Sequence, residues 1–73
     1  MKIELNEHTR AILGRPNFMC RNIAIRLREL GQVIPSKAEE EQAAVLCFLL
    51  NIYLEHGEKY VDVANEKLAN GEL

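Results

Sequence analysis

Residues 43–54 read Ala-Ala-Val-Leu-Cys-Phe-Leu-Leu-Asn-Ile-Tyr-Leu, and Asn51 is the one strongly polar side chain among them. A helix apolar on nearly every face has to be surrounded, either by the rest of its own chain or by another copy. The run is too short to span a bilayer, which takes about 20 apolar residues, and acids flank it on both sides. No secretory signal is recognised ahead of it. The expected location is therefore the cytoplasm.

The segment just before the run carries a helix-start signal. Ser36-Lys37-Ala38-Glu39 has the Ser-x-x-Glu spacing of a capping box, in which Ser36 and Glu39 each satisfy the other's backbone N–H. Pro35 disfavours a helix running in from Ile34. Glu39, Glu40 and Glu41 follow in the first turns, where the helix dipole favours negative charge, and they read as a solvated helix start. Gly57 is the candidate terminator.

Length limits how such a helix can be covered. With 73 residues there is room for one small domain, and a chain of this size buries only about 60% of its unfolded surface. Small domains of this kind are commonly supported by disulfides, a metal or a partner subunit. Two cysteines make no disulfide framework, and no Cys-x-x-Cys or His-x-x-x-His spacing suggests zinc. Cys20 and Cys47 fall among apolar neighbours and read as buried small hydrophobes, a bridge between them being the alternative. Oligomerisation is the support to expect.

Charge is unevenly spread. The net value is −2, but residues 1–35 hold six Lys and Arg against three acids, a balance of +3, and residues 36–73 hold three against eight, a balance of −5. All five arginines, Arg10, Arg15, Arg21, Arg26 and Arg28, lie in the first half. Either the two halves attract each other, within one chain or between copies, or the basic half meets an anionic partner.

In chain order, residues 1–5 alternate weakly, and a pairing with residues 32–34 is conceivable. Asn6 can cap a short helix from Glu7 to Leu13, closed by Gly14. Pro16 suits the first turn of a second helix, with Asn17 an alternative cap, running to about Leu30 with Gly31 beyond. Cys20, Ile23, Ala24, Leu27 and Leu30 form its apolar stripe, with Met19 at the edge. Phe18 and Ile25 lie seven apart on a second face beside Arg21 and Arg28, to be covered by the first helix or by a partner. After Gly57 a narrower stripe of Tyr60, Val61, Ala64 and Leu68 ends near Asn70 and Gly71. The preferred reading breaks the helix at Gly57; the alternative is one continuous helix over 37–69, with Gly57 costing about 1 kcal/mol against Ala.

Chemistry is sparse. His8 and His56 each lack a ligand partner one turn away, and no Ser/His/Asp set, Gly-rich phosphate loop or Glu-x-x-His pair is present. No catalytic residue, metal, cofactor or small-molecule substrate is expected. The run from Tyr53 to Tyr60 followed by Ala64 faintly resembles a tetratricopeptide helix-turn-helix, but the spacing is one residue off and there is no second copy. Short motif-free helical chains look like accessory proteins of bacteriophage and prophage genomes; no residue motif carries that likeness, and no family is assigned.

The expectation is an all-α domain of three or four helices around a hydrophobic helix at about 37–56, forming a homodimer. Its expected role is a non-catalytic interaction module, an accessory or adaptor protein that binds itself and a further protein. The interface is expected at Phe18, Ile25, Phe48, Leu49, Asn51, Ile52 and Tyr53. A lone Asn51 in an apolar helix pairs with its symmetry mate to fix register, bonds a backbone carbonyl, or sits at a surface edge. The competing reading is a nucleic-acid-binding protein that grips phosphates with its five arginines.

Overall fold

A computed structural model of the chain describes residues 3–72. It contains four α-helices: α1 Glu7–Leu13, α2 Asn17–Glu29, α3 Ala38–His56 and α4 Tyr60–Asn70, with a single 3-10 turn, Gly57–Lys59, between the last two. There is no strand among the described residues, so residues 3–5 and 32–34 do not pair; Met1 and Lys2 lie outside the described residues.

The firmest helix start is α1. Asn6 Oδ1 accepts from the backbone N–H of His8 at 2.8 Å and of Thr9 at 3.0 Å, while Thr9 Oγ1 accepts from the Asn6 N–H at 2.8 Å. This reciprocal pair is a capping box that uses Thr in place of Glu. Thr9 is buried and also donates to the Glu4 carbonyl at 2.8 Å, which ties the N-terminal segment to the helix. Gly14 ends the helix, its N–H donating to the Arg10 carbonyl at 2.9 Å.

Pro16 precedes α2 with φ −66°, already helical in φ. The apolar stripe is where helical periodicity places it. Cys20, Ala24 and Leu27 are fully buried, and Ile23 and Leu30 are half-buried. Met19, expected at the stripe's edge, is largely exposed.

The start of α3 corrects the sequence expectation. Its cap position is Lys37, in extended conformation, and no side chain caps it, so the Ser36–Glu39 box does not form. The reason lies in the linker. Arg28 donates from Nε to the Ile34 carbonyl and from Nη2 to the Pro35 carbonyl, both at 3.0 Å, and the Lys37 N–H turns back to the Pro35 carbonyl at 2.8 Å. The chain held this way enters the helix one residue late, and Ser36 falls outside the cap. The acidic triplet also divides: Glu39 and Glu40 are exposed, but Glu41 is buried.

α3 packs against α1, α2 and α4. Val45, Leu49 and Ile52 form its buried line, and Ala44, Leu46, Phe48, Leu50 and Tyr53 are half-buried beside it. The chain therefore covers one face and both flanks of this apolar helix. The remaining line, Ala43, Cys47, Asn51 and Leu54, is exposed.

The helix breaks at Gly57, whose φ of 62° and ψ of −136° suit a residue without Cβ. A continuous helix over 37–69 would measure about 50 Å at 1.5 Å per residue, but the longest dimension of the molecule is 30 Å. α4 instead folds back and buries Tyr60 and Ala64, leaving Val61 half exposed. Gly71 closes it in the left-handed conformation, φ 73°.

Candidate interaction surface

The structure separates the seven residues expected at an interface. Leu49 and Ile52 pack into the chain's own core, 6% and 4% exposed, and Ile52 also contributes to the groove that holds Phe48 and Asn51. Tyr53 is half-buried in an aromatic cluster: its ring lies 6.0 Å from His8 and 5.8 Å from Tyr60, and its hydroxyl accepts from Asn6 Nδ2 at 3.0 Å. These contacts fasten α1 to α3 and α4. Phe18 is 80% exposed and Ile25 40% exposed. The first helix does not cover them.

Phe48 and Asn51 are brought together in an open groove of about 320 Å³. Ala44, Cys47, Phe48, Asn51, Ile52 and Glu55 of α3 line it, with Gln32 of the α2–α3 linker and Lys67 of α4. Asn51 is exposed, and its Nδ2 lies 3.5 Å from Cys47 Sγ, a weak acceptor. Both cysteines are free; Cys20 is buried as expected, whereas Cys47 is exposed, which corrects the reading of it as a buried hydrophobe. Periodicity held a signal for this: Cys47 is one turn from Asn51 and from Ala43, on the least greasy line of the helix. Glu55 and Lys67 give the groove one acid and one base. They do not pair with each other; the near contact of Glu55 is His56 Nε2 at 3.8 Å.

The arginines are largely engaged inside the molecule. Arg28 Nη1 meets Glu41 Oε2 at 2.7 Å, and Arg21 Nη1 lies 3.6 Å from Glu41 Oε1. Arg26 donates from Nε to the Leu68 carbonyl at 2.9 Å and pairs with Glu29 at 3.2 Å. Arg15 Nη2 donates to the Met19 carbonyl at 3.0 Å. Arg10 is exposed on α1, with no carboxylate partner among the described residues. The charge asymmetry along the sequence thus appears partly as contact between halves, through Arg21, Arg28 and Glu41. Sequence reasoning missed Glu41 because a buried acid looks like its solvated neighbours until its counter-ion is known.

Among the described residues no three His, Cys, Asp or Glu side chains cluster to hold a metal, and no helix is long and apolar enough to cross a membrane. Compared with known proteins, the chain matches no family model, no curated protein and no solved structure.

Proposed function

We propose that the chain is a small non-catalytic protein-interaction module that works as a homodimer, in an accessory or adaptor role, with the α3 groove as its self-association surface. The observation that carries the reading is the uncovered line of α3, where Cys47 and Asn51 border the half-buried Phe48. The accessible surface supports incomplete coverage: it is 5026 Å² for 8.3 kDa, against about 4,600 Å² for a typical monomer of that mass.

A second copy is the favoured occupant because the groove carries both signs. A two-fold interface sets the same patch against itself, so residue i meets j and j meets i. Glu55 of each copy can then face Lys67 of the other, a self-complementary pairing that also fixes orientation. The nucleic-acid reading is weaker, because Arg21, Arg26 and Arg28 already have carboxylate partners.

Sedimentation velocity under reducing conditions tests the reading on the parent chain and on Cys47→Glu, an exposed-site change that buries two charges in the proposed interface. The parent should sediment at twice 8.3 kDa and the variant at 8.3 kDa. A parent that stays monomeric through the high-micromolar range refutes self-association. A variant that remains dimeric removes the α3 groove as the surface.

A further inference from the structure

The outer side of α2 is not an ordinary solvated helix face. The line Cys20, Ala24 and Leu27 is buried, and the opposite line carries Phe18, 80% exposed, and Ile25, 40% exposed. The two lie seven positions and about 10 Å apart along the axis, with exposed Asn22 between them. Phe18 at that exposure adds little to the core above which it sits.

The same side is basic. Residues 8–28 contain all five arginines and no Asp or Glu. Arg21 follows Phe18 by three positions and precedes Ile25 by four, which makes it a surface neighbour of both; its side chain is 68% exposed. Glu41 supplies one negative charge to two arginines, Arg28 at 2.7 Å and Arg21 at 3.6 Å, so this group of three keeps one positive charge over. Arg15 reaches the turn that bears Phe18 and donates from Nη2 to the Met19 carbonyl at 3.0 Å. No carboxylate pairs with it among the described residues. Arg26 and Glu29 offset each other at 3.2 Å. The face thus combines projecting apolar groups with a surplus of two positive charges.

We propose that this face of α2 docks on an anionic lipid bilayer, with the helix lying in the plane of the surface. Phe18 and Ile25 enter the boundary between headgroups and acyl chains, and Arg15 and Arg21 meet the lipid phosphates. Charge complementarity selects an anionic partner, and the apolar line selects among such partners. A nucleic-acid backbone offers phosphates but no apolar layer for Ile25. A folded acidic protein would have to fit two side chains separated by Asn22 at the packing density of a protein interior. Fluid lipid adapts around isolated projecting groups. The face shares no residue with the α3 groove, so the inference is independent of self-association.

The chain contains no Trp, so Phe18→Trp, at an exposed site, places a single fluorescent reporter at the contact. The test titrates this variant with phosphatidylcholine vesicles containing about one third phosphatidylglycerol, and with pure phosphatidylcholine vesicles. Anionic vesicles should shift the indole emission to the blue, saturably, and salt at about 1 M should reverse the shift by screening. Neutral vesicles should leave it unchanged. Arg21→Gln in the same background should weaken binding about fivefold, the effect of one cation near an anionic surface, whereas Lys59→Gln, an exposed charge in the turn before α4, should change it by less than about twofold. No shift at about 5 mM anionic lipid overturns the proposal. So do an equal shift with neutral vesicles and a greater loss from Lys59→Gln than from Arg21→Gln. Polyglutamate or a DNA duplex that reproduces the shift reassigns the face to an acidic protein or to nucleic acid and overturns it as well. If Phe18→Trp loses its helical circular dichroism, co-sedimentation of the parent chain and of Arg21→Gln with the same vesicles decides: a parent that stays in the supernatant overturns the proposal.

Discussion

Replacing Arg28 by Ala should destabilise the domain far more than replacing Arg21, although both arginines face the same carboxylate. Glu41 is only 7% exposed and lies 2.7 Å from Arg28 Nη1 but 3.6 Å from Arg21 Nη1. Arg28 also holds the Ile34 and Pro35 carbonyls through Nε and Nη2, so it joins α2 to the linker that sets the start of α3. Its side chain is 28% exposed, against 68% for Arg21. Removing one member of a buried pair costs about 3–5 kcal/mol because the other charge is left uncompensated. Partial exposure of Arg28, with Arg21 still 3.6 Å from the carboxylate, places the expected loss at the lower end, about 3 kcal/mol, whereas loss of the more distant and 68% exposed Arg21 should cost about 0.5 kcal/mol. At about 4–8 °C per kcal/mol for a domain of this size, Arg28→Ala should lower Tm by about 12–24 °C and Arg21→Ala by about 2–4 °C. The assay is thermal unfolding followed by circular dichroism at one fixed chain concentration, since the proposed self-association would make Tm concentration-dependent. Joint replacement by Arg28→Met and Glu41→Leu removes both charges together and should recover most of the loss. If the two single arginine variants melt within about 3 °C of each other, Arg28 is not the clamp described here.

Three further outcomes follow from the same geometry. Asn6→Ala removes the α1 cap and the bond to Tyr53 and should cost about 1–2 kcal/mol, whereas Ser36→Ala, at the unformed box, should cost less than about 0.5 kcal/mol in denaturant unfolding; equal losses would show that Ser36 caps α3 after all. Gly57→Ala meets no neighbouring atom, yet φ of 62° with ψ of −136° is unfavourable for a residue with Cβ, so unfolding should show a loss of about 1–3 kcal/mol; an unchanged midpoint would contradict the tight reversal into α4. Phe18→Ser, at an exposed site, should change stability by less than about 0.5 kcal/mol and leave the sedimenting mass unchanged; a drop to the monomer would move the self-association surface to α2.

Where local chemistry decides the structure, the sequence was readable. Asn6 before a short apolar-ended helix, the Cys20–Ala24–Leu27 stripe and the break at Gly57 each depend on residues within a few positions of one another. The Ser36 box failed for a non-local reason: Arg28, eight positions earlier, holds the linker carbonyls and shifts the helix start. The same gap hid the burial of Glu41 and the engagement of the arginines, whose partners are 13 and more positions away in the cases of Glu41 with Arg28 and Leu68 with Arg26. The apolar run also concealed which of its faces the chain would cover. Leu49 and Ile52 were indistinguishable from Phe48 by composition, and only the packing of α1, α2 and α4 turns the first two inward.

The proposed coverage of α3 by a second copy is tested most directly by the reactivity of Cys47 with a thiol reagent as chain concentration rises from about 1 µM to about 200 µM. Cys47 is exposed on the single chain and Cys20 is buried, so the inner thiol is a built-in control for unfolding. The proposal expects Cys47 labelling to slow at least about tenfold across that range as the dimer forms, with Cys20 unreactive throughout. A Cys47 rate that does not change with concentration would mean that this face of α3 stays open to solvent, contrary to the proposal.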